Sequence, residues 1–141
     1  MKGILFLREG TDTSLEVQEA LCGQQAALLG VVQGERHVHT GKALSGRHSG
    51  SWTMSQRAEP ELFAAVRSVG PGDVFVAVAP RFVSPEPVAA SVVHFAVDDV
   101  GGSVHWAQPG DPSVLTLSGV VMQLSHFRRS LDVLSKGRAR A

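Results

Sequence analysis

The chain has 141 residues, 43% of them hydrophobic and 18% charged, which fits one globular domain with a single core and excludes a disordered chain. Its formal net charge is zero, which argues against a surface built for nucleic acid. One cysteine excludes an intrachain disulfide framework, and no apolar run has the length of a membrane helix.

The elements follow in chain order. "GILFLRE", Gly3 to Glu9, reads as a first strand rather than a secretory signal. Thr13 or Ser14 can cap a short helix over "GTDTSLEVQEA", or that stretch is an extended lead-in. From Cys22 to about Gln33, Ala26, Leu28, Leu29 and Val32 recur at helical spacing, and Gly34 can end that helix. Residues 35–57 read as a long loop rich in Gly, Ser, His and Arg. "EPELFAAVRSVG" reads as a helix with Pro60 in its first turn and Leu62, Phe63, Val66 and Val69 on one face.

In the second half "DVFVAVAP" reads as a buried strand and "RFVSPEPVAA" as a loop held by Pro85 and Pro87. "SVVHFAVDD" reads as a strand, "VGG" as a turn, "SVHWAQ" as the returning strand and "SVLTL" as a further strand. Val121, Leu124, Phe127, Leu131 and Leu134 fit a closing amphipathic helix over 118–135. Helices first and strands second give an α+β domain over 1–135, followed by a basic flexible tail, 136–141, with Lys136, Arg138 and Arg140.

The lone Cys22 opens the expected helix, where the dipole favours a thiolate; equally, a free cysteine is often plain core. Gly23 leaves the backbone open to a substrate carbonyl, and Gln18 can offer a side-chain amide to an oxyanion. Of six histidines, His94 is the base of choice, because a polar ring within an otherwise apolar strand needs a partner. His37, His39 and His48 form a weak metal pattern that no spaced carboxylate or cysteine completes, so neither metal nor cofactor is expected. Asp98 and Asp99 read as a solvated turn.

"QEALCGQQAALLGVVQG", followed by "HFAVDDVGGSVHWAQP" and "LTLSGVVMQLSHF", resembles the papain-like cysteine peptidases. The group most similar is the bacterial one that processes double-glycine leader peptides, together with its effector-type relatives. The resemblance implies a nucleophile helix packed on a C-terminal antiparallel sheet, with Cys22 as nucleophile, His94 as general base and Gln18 at the oxyanion site. At the third position, where the family has Asp-Pro, this chain has Gln108-Pro109, and Asp111, also before a proline, is the alternative orienting residue. The implied function is hydrolysis of an amide in a peptide or protein, without nucleic acid or membrane. Such a protein is expected in the cytoplasm or exported without a signal. The alternatives are an inactive papain-like binding domain, a glutamine deamidase effector, and a non-enzymatic α+β structural or assembly protein in which Cys22 is only core.

Overall fold

The computed structural model describes residues 1–40, 47–48, 51–52, 59–84 and 87–108, with the backbone alone at 47–48, 51–52 and 87–88. Strand β1 (Lys2–Arg8) is followed by helix α1 (Leu15–Leu28) and strand β2 (Gln33–His39). Two two-residue strands, β3 (Arg47–His48) and β4 (Ser51–Trp52), pair antiparallel as a separate ribbon. Helix α2 (Pro60–Ser68), strand β5 (Val74–Ala77), helices α3 (Pro80–Val83) and α4 (Pro87–Asp99) and strand β6 (Ser103–Trp106) complete the described part.

The main sheet has the order β2-β1-β5-β6, and every pairing in it is parallel. Parallel strands need crossovers, and the helices that supply them cover both faces. The sequence of β5 shows the consequence, since all four residues of "VFVA" are buried. On one face α1 lays Gln18, Cys22 and Ala26, four residues apart, towards Leu7, Val74, Val76 and Phe82. On the other face α2 and α4 pack Phe63, Val66, Val93 and Val97 against Ile4, Phe6 and Phe75.

This architecture overturns the expected papain-like α+β domain with an antiparallel sheet: the described part is an α/β sandwich. The decisive misreading is "SVVHFAVDD", expected as a strand, which lies inside α4. Ala89, Val93, Ala96 and Val97 are buried while His94, Phe95, Asp98 and Asp99 are exposed, a helical period rather than an alternating one. "SVHWAQ" therefore cannot be its hairpin return; β6 runs parallel to β5. Residues 33–39, expected within a helix end and a loop, form β2. Helix α1 starts at the Ser14 cap, one of the two caps the sequence offers, rather than at Cys22, and the Ser14 Oγ accepts from the Val17 N–H at 3.3 Å. It closes at Gly30, whose φ of 81° is the left-handed conformation that ends helices. The Gly30 N–H donates to the Ala27 carbonyl and the Val31 N–H to the Ala26 carbonyl, both at 3.0 Å, which turns the chain into β2. The first strand, the helix behind Pro60, the strand at Val74 and the turn at Gly101-Gly102 lie where the sequence places them. The expected strand "SVLTL", the closing helix and the basic tail lie outside the described residues.

Candidate functional site at the carboxyl ends of the strands

The connection leaving β1 runs through α1 to β2 on one side. The connection leaving β5 runs through α3 and α4 to β6 on the other. The strand order thus reverses between β1 and β5, and open α/β sheets hold their ligands outside the carboxyl ends at such a reversal.

Arg8, the last residue of β1, stands at this point and is only 3% exposed. Its Nε donates to the Phe82 carbonyl at 3.1 Å, and its Nη2 donates to the Val83 carbonyl at 2.5 Å. The same Nη2 meets both carboxylate oxygens of Glu59, at 3.0 and 2.8 Å. Glu59 precedes α2, is equally buried, and lies with Oε2 at 3.4 Å from Nδ1 of His39 at the end of β2. A buried charge must be paired, and these three side chains from three elements pair internally. Around them the guanidinium of Arg81 lies on Asp12 at 2.8 Å at the surface, and the Arg81 side chain holds the Asp12 carboxyl below the usual carboxylate range.

The loop between Arg8 and α1 is organised by Gln18. Its Oε1 accepts the Arg8 N–H at 2.9 Å, and its Nε2 donates to the carbonyls of Arg8 and Thr13 at 2.8 Å and to Thr11 Oγ1 at 3.3 Å. Gln18 is fully buried, and its side-chain hydrogen bonds go to Arg8, Thr11 and Thr13. It was expected to stabilise an oxyanion; the structure places it as the clamp of the β1–α1 turn.

The other expected site residues do not converge. Cys22 lies in the middle of α1, not at its N-terminus, and is fully buried among Leu7, Val76 and Val78. Burial pushes its thiol up to about 12, away from a thiolate. His94 lies on α4, across the sheet from α1, with its ring about half exposed and Nδ1 at 3.0 Å from Asp98 one helical turn on. Gln108 is exposed, and its backbone N–H donates to the Val78 carbonyl at 2.7 Å. Asp111 lies outside the described residues. The pair of Cys22 and His94 that hydrolysis needs is therefore separated by the sheet itself.

Among the described residues no group of three His, Cys, Asp or Glu side chains could hold a metal ion, and no helix is long and apolar enough to cross a membrane. Sequence reasoning missed Arg8, His39 and Glu59. The signal for Arg8 was present, as an arginine ending an apolar strand just before a turn.

The zero net charge also hid an uneven distribution along the chain. Arg36, Lys42, Arg47 and Arg57 fall between 36 and 57 with no acidic residue among them. Arg128, Arg129, Lys136, Arg138 and Arg140 fall between 128 and 140 with Asp132 alone. These two segments hold nine of the 13 lysines and arginines and one of the 13 acidic residues. The first of them begins within β2, whose last residue, His39, belongs to the Arg8 cluster.

No protein-family model and no curated protein matches the sequence. A number of solved structures are similar to it, among them two from mobile elements. The C-terminal catalytic domain of ISC1926 TnpA, an IS607-like serine recombinase, is 16% identical, with 99% of this chain and 97% of that chain covered, at a TM-score of 0.49. The first ORF in transposon ISC1904 from Sulfolobus solfataricus P2 is 12% identical, with 99% of this chain and 89% of that chain covered, at a TM-score of 0.51. This chain shares the fold of the second. The likeness at these identities is one of fold, and it is not a papain-like one. The expected cysteine hydrolase, its inactive and deamidase variants, the α+β assembly protein and the peptide substrate fall with the papain-like fold, and the expected exclusion of nucleic acid falls with them, since the protein whose fold this chain shares is the product of a transposon's open reading frame.

Proposed function

We propose that this chain is a DNA-handling domain that binds the sugar–phosphate backbone of a duplex through its two basic segments. The observation that carries the reading is the segregation of charge: 36–57 and 128–140 are strongly cationic, while the remainder of the chain is acidic in compensation. Phosphate binding depends on local cationic density rather than on net charge, because each neutralised phosphate releases counterions near the contact. The fold shared with a transposon-encoded protein supports the same reading. The acidic remainder in turn keeps the rest of the surface from collecting DNA indiscriminately.

The reading concerns binding rather than strand chemistry. The described hydroxyls of the loop after Arg8 serve the loop: Thr11 Oγ1 donates to the Thr13 carbonyl at 2.8 Å and Ser14 caps α1.

Fluorescence anisotropy of a labelled duplex, titrated at several salt concentrations, tests it. Binding is expected to weaken linearly on a log–log plot, with a slope of roughly −0.9 per neutralised phosphate. Replacing Lys42, Arg47 and Arg57 together by glutamine is expected to flatten the slope by about 2 to 3. Absence of binding at about 50 mM salt, or a slope indifferent both to these replacements and to the matching ones in 128–140, would sink the proposal.

A further inference from the structure

Arg8 is bonded in an unbalanced way. Its Nη2 carries two protons yet faces three acceptors, the Val83 carbonyl and both oxygens of Glu59. Its Nη1 also carries two protons, is buried, and has no hydrogen-bond partner among the described residues. A guanidinium matches an oxyanion best when two parallel N–H groups reach two oxygens, one from each nitrogen. Glu59 does not bind in that way; it crowds one nitrogen and leaves the other orphaned. An orphaned buried donor costs free energy, so its retention calls for an explanation. The place is also the one where the topology opens an open α/β sheet to ligands. On it lie Arg8, His39 and the start of α2, where no side chain caps the helix.

We infer that the Arg8 guanidinium, at the carboxyl end of β1 where the strand order reverses, is a site for a phosphate-like oxyanion that the protein fills with its own carboxylate, Glu59. Glu59 is the internal competitor. While it lies on Nη2 the site is closed, and an external oxyanion enters only when that carboxylate is neutralised or withdrawn. The external ligand then bridges Nη1 and Nη2 and satisfies the orphaned donor. The inference goes beyond the basic segments and stands without them.

Thermal unfolding of the wild type, Glu59→Gln, and the double variant Glu59→Gln with Arg8→Gln tests this, each in chloride and in inorganic phosphate at matched ionic strength. Glu59→Gln is expected to melt lower in chloride and to recover saturably with phosphate, by roughly 5 °C at about ten times the Kd. The wild type and the double variant are expected not to respond. If Glu59→Gln is unfolded in chloride, the same titration reads refolding by near-ultraviolet circular dichroism, and recovery in phosphate has the same meaning. A duplex at equal phosphate concentration forms a further arm: recovery with inorganic phosphate alone assigns the site to small free oxyanions, and recovery with both assigns it to the nucleic-acid backbone. Equal stabilisation of all three proteins, or no recovery of Glu59→Gln, would overturn the inference by showing that Arg8 and Glu59 are only a structural pair. Failure of the wild type to bind DNA would refute the proposed function and leave this result untouched.

Discussion

At the scale of single residues, two side chains that look chemical in the sequence are structural. Cys22 is closed to solvent, and burial pushes its thiol from 9.0 to about 12. Iodoacetamide near neutral pH is therefore expected to leave the native protein unlabelled and to react once denaturant is added; fast native labelling would contradict the packing described. The same shift has a sign for stability. The unfolded thiol loses its proton first, so the contribution is complete below 9.0 and is lost as pH rises towards about 12. Denaturant melts near pH 8 and about pH 10.5 should then show a larger loss for the wild type than for Cys22→Ala. Gln18 differs in kind, because its buried amide satisfies the Arg8 N–H and the carbonyls of Arg8 and Thr13. Truncation to alanine leaves the Arg8 N–H and carbonyl unpaired, and is expected to cost roughly 2–4 kcal/mol in urea unfolding.

At the scale of elements, the ends of helices decide what the sequence could reveal. Strand β1, helix α2 and strand β5 were legible because each carries an unambiguous signal: an apolar run, a proline at the first helical position, and a short β-branched run between turns. Helix α4 was not, since Val92, Val93 and Val97 bring strand propensity to a helix and only the spacing of its buried residues betrays the period. The site was legible in even smaller part. Glu59 and Arg8 are 51 positions apart, and nothing local announces that a parallel sheet will bring them together. Two glycines make the element geometry testable. A Cβ on Gly102 would lie 2.5 Å from Val69 Cγ1 and 3.2 Å from the Asp73 carbonyl, so Gly102→Ala is expected to destabilise by about 1–3 kcal/mol. Gly23 lies inside α1 with open space where a Cβ would go, so Gly23→Ala is expected to stabilise by roughly 0.5–1 kcal/mol. Paired chemical melts read both signs; equal effects at the two positions would contradict the described packing.

At the scale of the whole molecule, a balanced charge count concealed cations and anions kept in separate stretches of chain. A sum over residues is blind to order, which is why the zero net charge gave no sign of the two basic segments. The sheet order has a further consequence, for synthesis. Strand β1 is made before the other strands of its sheet, yet it lies inside that sheet, with Gly3 opposite both Gly34 and Val74. Until β5 emerges, the nascent β1–α1–β2 unit offers one long side of β1 with unpaired amides and carbonyls, flanked by Ile4, Phe6 and Leu7. Non-local parallel pairing is slow to form, because a long loop must close before any contact rewards it. The growing polypeptide is thus most adhesive between the synthesis of β2 and that of β5, and chaperones or a crowded ribosome would meet it in that interval.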